Sequence, residues 1–271
     1  MHKLFILLTG VCVSLSVMSN AASLRIVTTT PDLGSIATTI GGEDVAVTVL
    51  VKGTEDPHFL QARPSMIKEV ARADLLIVNG LDLEIGWLPL LIKGSRNVAI
   101  QPGKTGYLDA STIIAAKHDH TVQHDRSGGH VHAQGNPHYM LDPACGLLVA
   151  NLIKDRLVEL CPTEREAILQ RFTNWQHKLG KALFGEDLVH KYDIQKLARA
   201  SQSDVLMTFL AQTGETDKLG GWLGQRREQS EEAIPVICDH AAWLYLAERF
   251  NLRIMGHMEP KPGLTPTTSH L

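Results

Sequence analysis

The sequence predicts an α/β fold of two lobes, each a parallel-type sheet flanked by helices, joined by a long connecting helix. Three features of the 271 residues carry this. Short β-branched runs alternate with helix-period segments through the first half, the pattern of a parallel sheet with helical crossovers. From Asp142 onward the pattern turns to long helices. A strand–helix–strand alternation then returns near the C-terminal end.

Taken in order, the chain opens with MHKLFILLTGVCVSLSVMSNAAS. A basic Lys3, an apolar run from Leu4 to Met18 and small residues after it predict a signal peptide over 1–22, cleaved near Ala21 or Ala22. A membrane anchor is the alternative. Val11 before Cys12 fits a lipoprotein cleavage box poorly. An N-terminal α/β lobe is expected over 23–143. Within it, strands are expected at Leu24–Thr30, Val45–Val51, Asp74–Asn79 and Asn97–Ile100. Helices are expected at Leu33–Ile40, at Ser65–Ala73 with Ser65 as its cap, and at Glu84–Ile92.

A helical connection is expected over 144–189. It begins after the Asp142-Pro143 helix start and contains a helix over Leu147–Leu160. Thr163 and Glu166 have capping-box spacing and predict a linker helix over 163–184, polar nearly all round. The remainder, 190–271, reads as a C-terminal α/β lobe. Short helices and a GGWLG turn at 220–224 lead to a strand at Ile234–Cys238, where Pro235 predicts an early or edge position. Asp239 is read as the cap of a helix over His240–Phe250, followed by a strand over Leu252–Met258. Two clear strands make an incomplete lobe, and Thr268–Leu271 opens what reads as another helix.

Composition excludes several functions. A net charge of −3 without a basic patch argues against nucleic-acid binding. No stretch after the first twenty-odd residues is long enough to span a bilayer. Beyond Cys12 there are Cys145, Cys161 and Cys238, an odd number without CxxC spacing, so at least one thiol is free and a thiolate zinc knuckle is not expected.

The histidines carry the functional signal. The loop over 117–134 holds His118, His120, His124, His130 and His132 among polar residues too hydrophilic to bury a core. It leads into GNPHYMLDP, where Pro137 stiffens the backbone before His138. EDPH repeats that grammar at His58. His58, His138 and His240 each follow a strand of their lobe, and open parallel sheets bind ligands beyond the carboxyl ends of their strands. Imidazole is a common metal ligand, so the pattern points to a metal-handling protein. Singly, each has an ordinary reading: His58 and His138 as turn residues after proline, His240 as a helix N-terminal residue. His177 and His190 read as solvated helix positions, His257 as a strand residue and His270 as surface.

The segments EDPHFLQARPS, ADLLIVNGLDLEIGWL, GNPHYMLDP, DHAAWLYLAERFNL and EPKPGLTPTTSHL, in that order, resemble the zinc- and manganese-binding solute-binding proteins of bacterial ABC importers, from about Leu24 to the end. The resemblance implies an extracytoplasmic, periplasmic protein that captures zinc (manganese is the alternative) and delivers it to an ABC permease in the inner membrane. It implies metal ligation by His58, His138 and His240 between two lobes, and a monomer is expected. Asn136 stands where many members have Asp, and Asp239 where many have Tyr. Members continue past this chain's end and commonly draw a fourth, carboxylate ligand from there, so a shortened chain is expected, with Glu259, water or a loop histidine in that position. The loop histidines are expected to hold zinc more weakly, for collection or transfer. A zinc hydrolase with a three-histidine site is the alternative in another class, but HExxH and an obvious general base are missing. A metal-dependent adhesin or a storage protein is a further alternative.

Overall fold

The structure, a computed structural model, describes residues 23–118, 134–230 and 232–259. The signal-peptide segment, His120, His124, His130 and His132 of the loop, His270 and the expected helix at Thr268–Leu271 lie outside the described residues.

The first sheet has four strands: β1 (Leu24–Thr28), β2 (Val45–Val49), β3 (Leu75–Val78) and β4 (Tyr107–Asp109). Its order is β2-β1-β3-β4 and every pairing is parallel. The chain moves from β1 to one side and then returns to the other, so a topological switch point lies between β1 and β3. The sheet is buried on both faces. Ile26, Leu75 and Ile77 join Leu33, Ile40, Val149 and Phe172 on one side; Val27, Leu76 and Val78 join Met66, Val70, Trp87 and Leu91 on the other. This alternation is the period-2 geometry of a strand. Complete burial of such side chains stabilises by about 1.5–3 kcal/mol each.

Three helices flank these strands: α1 (Pro31–Gly41), α2 (Pro64–Arg72) and α3 (Leu88–Ser95). Several details differ from the sequence expectation. Helix α2 starts one residue before Ser65, because Pro64 at the first helical position presets φ; Arg63 is the N-cap and Ser65 caps nothing. Helix α3 starts at Leu88 instead of Glu84. The Glu84 carboxylate turns back to accept the Asn79 and Gly80 amides, which holds residues 84–87 in the turn before the helix. Residues 97–100 form no strand: Asn97 sends its amide to the carbonyls of Val70, Ala71 and Ala73 at the end of α2. The fourth strand is Tyr107–Asp109 instead, paired with β3.

Two long helices follow, α4 (Pro143–Leu160) and α5 (Arg165–Phe184). Asp142 caps α4 as expected, accepting from the Ala144 amide at 2.9 Å. The Thr163–Glu166 capping box does not form. Residues 162–164 make a 3-10 turn, and Glu164 becomes the N-cap without a side-chain bond. Helix α5 is less uniformly polar than its composition implies: Ile168, Phe172, Gly180, Leu183 and Phe184 form a buried stripe. Its first half packs with the sheet core, while Leu183 and Phe184 join a second core with α6 (Glu186–Lys191), α7 (Ile194–Gln202), α8 (Leu206–Thr213) and α9 (Gly221–Gln229). The GGWLG segment therefore begins α9 and is not a turn throughout.

Strands β5 (Ile234–Cys238) and β6 (Leu252–His257) pair in parallel as a two-stranded sheet among the described residues, joined by α10 (Leu244–Arg249). Pro235 is accommodated because such a ribbon has only edge strands. Helix α10 begins four residues later than expected. Trp243 is the N-cap of α10, and the Asp239 carboxylate bonds the His240 ring and the Trp243 indole. Among the described residues no helix is long and apolar enough to cross a membrane.

Candidate metal centre

The segments carrying the Pro-His pairs fold alike. After β2, Asp56 Oδ1 accepts the His58 amide at 2.9 Å across Pro57. Before α4, Asn136 Oδ1 accepts the His138 amide at 2.9 Å across Pro137. Each is an Asx turn closed over a proline, and each points the following histidine out of a stiffened corner. The third corner is Asp239-His240, where β5 ends.

These corners bring their imidazoles together. The His58 and His138 ring centroids lie 5.1 Å apart, and those of His138 and His240 lie 5.5 Å apart. His58 is 5 % exposed; His138 and His240 are half-buried. The rings meet at 49° and 74°, as tilted neighbours, and no group of three His, Cys, Asp or Glu side chains among the described residues forms a finished coordination shell.

Two rings are held from behind by carboxylates. His58 Nδ1 lies 2.7 Å from Asp56 Oδ1, and His240 Nδ1 lies 3.0 Å from Asp239 Oδ2. A carboxylate only accepts, so Nδ1 is the donor of each pair and Nε2 is the ring nitrogen turned to other partners. Partial burial works to raise the pKa of Asp56, but the hydrogen bonds from His58 outweigh it and leave the carboxyl below its usual range. Asp239 is held low in the same way, by Trp243 and His240 against burial. Both are anions at neutral pH.

Asn136 ties the centre to α10 and to the loop that leads into it. Its amide donates to the Ala241 carbonyl at 2.8 Å, and its own carbonyl accepts the Tyr245 hydroxyl at 2.9 Å. The Asn136 amide N–H reaches the Lys117 carbonyl at 2.8 Å, closing the base of the histidine-rich loop beside the three rings. His118, the loop histidine that is described, is exposed. Glu259 follows β6, and its backbone N–H bonds the Asp239 carbonyl at 2.7 Å, beside the corner of His240. His177 and His190 sit elsewhere, as neighbours on α5 and α6, with His190 2.9 Å from Glu186. Cys145, Cys161 and Cys238 are all free thiols, and burial pushes that of Cys145 up to about 12, so it is no thiolate ligand.

Sequence reasoning named the three histidines and gave Asp56 no part in holding them. The DPH and NPH spacing was the available signal, since an Asx residue two places before an amide closes this turn. It left unread the residues that hold the corners from a distance, Asn79, Glu84 and Trp87.

Comparison with known proteins places the chain in a family. The ZnuA model, described as zinc-uptake complex component A periplasmic, matches residues 26–183. The high-affinity zinc uptake system protein ZnuA of Yersinia pestis is 26 % identical over 173 residues, covering 60 % of this chain and 54 % of that protein. The manganese ABC transporter substrate-binding lipoprotein PsaA of Streptococcus pneumoniae is 25 % identical over 166 residues, covering 60 % and 50 %. The chain thus spans about half the length of the curated relatives it matches. Among solved structures, a crystal structure of ZnuA superposes with a TM-score of 0.61 at 20 % identity, covering 92 % of this chain and 74 % of the other. The solute-binding protein FpvC of Pseudomonas aeruginosa, in complex with Mn2+, gives 0.57 at 20 % identity, covering 92 % and 73 %. These likenesses establish the shared α/β fold. With its model matched over more than half of the sequence, the chain belongs to the ZnuA family of periplasmic zinc-uptake components.

Proposed function

We propose that this protein captures zinc outside the cytoplasm and delivers it to an ABC-type permease of the inner membrane, holding the ion with His58, His138 and His240. The observation that carries this reading is the approach of three imidazoles from separate corners, with neighbouring centroids 5.1 and 5.5 Å apart. Zinc is preferred over manganese because three nitrogen donors suit zinc, while manganese favours oxygen. The carboxylates behind His58 and His240 raise ligand basicity in the manner of carboxylate–histidine–zinc triads. A fourth donor is drawn from water, a loop histidine or Glu259, whose backbone adjoins Asp239. We divide the chain into a signal peptide at 1–22, an N-terminal lobe at 23–143, a helical connection at 144–189 and a C-terminal lobe at 190–271, acting as a monomer.

A manganese importer component is the second reading, favoured by relatives named for manganese such as PsaA. A hydrolase gains no support: Asp56, the carboxylate nearest the rings in sequence, is committed to His58, and the relatives are named as transport proteins. Competitive zinc and manganese titration followed by native mass spectrometry tests the proposal. We expect one tightly held zinc, with each of His58→Ala, His138→Ala and His240→Ala weakening it at least tenfold. Equal retention of manganese overturns the choice of zinc, and unchanged zinc binding in the three variants overturns the site. Loss of zinc uptake by cells lacking the protein tests delivery.

A further inference from the structure

The turn between β3 and α3 has an uncommon backbone. Gly80, Leu81 and Asp82 all have positive φ, at 82°, 51° and 62°. Two of them carry side chains, which disfavour that region, and such strain persists only where the surroundings over-determine it. Here they do. The buried Glu84 carboxylate accepts the Asn79 amide at 2.7 Å and the Gly80 amide at 3.1 Å. The Leu83 amide donates to the Gly80 carbonyl at 3.1 Å. Position 80 has no room for a side chain, since a Cβ there would lie 2.2 Å from Asp109 Oδ1.

This turn grips both Pro-His corners. Asn79 Nδ2 donates to the Pro137 carbonyl at 3.0 Å, and the Asn79 carbonyl accepts the Tyr139 hydroxyl at 2.6 Å, so both neighbours of His138 are fixed to one residue. Eight residues on, Trp87 Nε1 donates to the Pro57 carbonyl at 2.7 Å. The carbonyl immediately before each of His58 and His138 is therefore captured by a side chain of the same nine-residue segment. Each carbonyl belongs to the peptide plane that enters its histidine, so holding it fixes where the ring begins.

We propose that residues 79–87 act as one clamp that sets His58 and His138 relative to each other before the ion arrives, with Asn79 and Trp87 as positioning residues and Glu84 as their brace. The proposal rests on the reading of the three histidines as the zinc site. Two donors carried on separate loops would otherwise lose freedom on binding; a shared rigid mount removes that cost and fixes the angle they present to zinc.

The test uses the whole protein, zinc affinity by chelator competition, and the visible spectrum of bound cobalt(II) as a readout of coordination geometry. Trp87→Phe removes the indole donor and Tyr139→Phe the hydroxyl, both keeping an aromatic ring in place. Leu91→Ala, in the same core as Trp87 but outside the clamp, serves as a stability control. We expect Trp87→Phe and Tyr139→Phe each to weaken zinc about tenfold, as loss of outer-shell partners commonly does, and to alter the cobalt spectrum at temperatures where the variants are fully folded. Leu91→Ala should lower the melting temperature and leave both readouts alone. The clamp is overturned if both aromatic variants bind zinc with wild-type affinity and spectrum, or if Leu91→Ala weakens zinc equally. Wild-type zinc binding that survives His138→Ala sinks the underlying site itself, and the clamp with it.

Discussion

Asp56 and Asn136 make the same turn but do different work. Both oxygens accept the amide two residues on, yet Asp56 also bonds the imidazole of His58, while Asn136 spends its amide on Ala241. Asp56→Asn should therefore keep the turn and lose the negative charge behind His58. We expect zinc affinity to fall about tenfold with little change in melting temperature, checked by chelator competition and thermal unfolding. Glu84 makes a separate prediction. Burial pushes its pKa up to about 7, against hydrogen bonds that pull it down. A carboxyl whose folded pKa exceeds its unfolded value stabilises the fold when protonated. That contribution is complete below about pH 4.5 and fades as pH rises through about 7, a swing on the order of 3 kcal/mol. Urea unfolding across that range should show the decline, and Glu84→Gln should flatten it. At this scale the proline–histidine pairs were legible because their logic is local. The bond from Trp87 to Pro57 spans thirty residues, and no spacing announces it.

Among the elements, α4 shows how a correct local reading can miss half of a residue's role. Asp142 was legible as a cap. The structure adds Arg249 of α10, whose guanidinium bonds both Asp142 oxygens at 3.0 and 2.9 Å and also reaches the Ser201 carbonyl at 2.7 Å. Asp142→Ala removes a cap and strands a buried cation, so we expect a loss of about 4 kcal/mol by chemical denaturation. An Asp142→Ala protein within 1 kcal/mol of wild type would refute that pairing. The misread elements share a cause. Residues 97–100 have strand composition, but Asn97 is more useful capping α2, and the three residues at Tyr107–Asp109 are too few to show a period. Residues 84–87 have helix composition, but the Glu84 carboxylate is drawn to amides upstream of it, as no propensity scale could register.

Over the whole molecule, the segment that precedes α4 is tied to α10, to the loop after β5 and to the turn after α7 by directed bonds. Lys117 donates its amide to the Tyr245 hydroxyl at 2.9 Å and its ammonium to Asp204 at 3.0 Å, beside the Asn136 links to Ala241 and Tyr245. The histidine-rich loop leaves and rejoins the fold at this junction, where the Asn136 amide closes on Lys117. Because that base is tied independently of the loop, deleting His118–His132 should lower the number of zinc ions bound at high zinc while sparing the tightest one. Native mass spectrometry reads both quantities, and loss of the tight ion would show the loop to be part of the primary site.

The ribbon of β5 and β6 bears on how fast an ion leaves. Its two strands pair only with each other among the described residues, and Ile237 and Met255 on them are 70 % and 59 % exposed. Strands β1 and β3, by contrast, lie within a four-stranded sheet buried on both faces. Local opening follows such differences, so amide hydrogens of β5 and β6 should exchange with solvent well before those of β1 and β3. In the proposed site, His240 follows a strand of the ribbon, while His58 and His138 are held by bonds to Trp87 and Asn79 beside the sturdier sheet. All three rings would then share the grip, while the part of the fold that opens first, the ribbon, would set the pace at which a held zinc escapes.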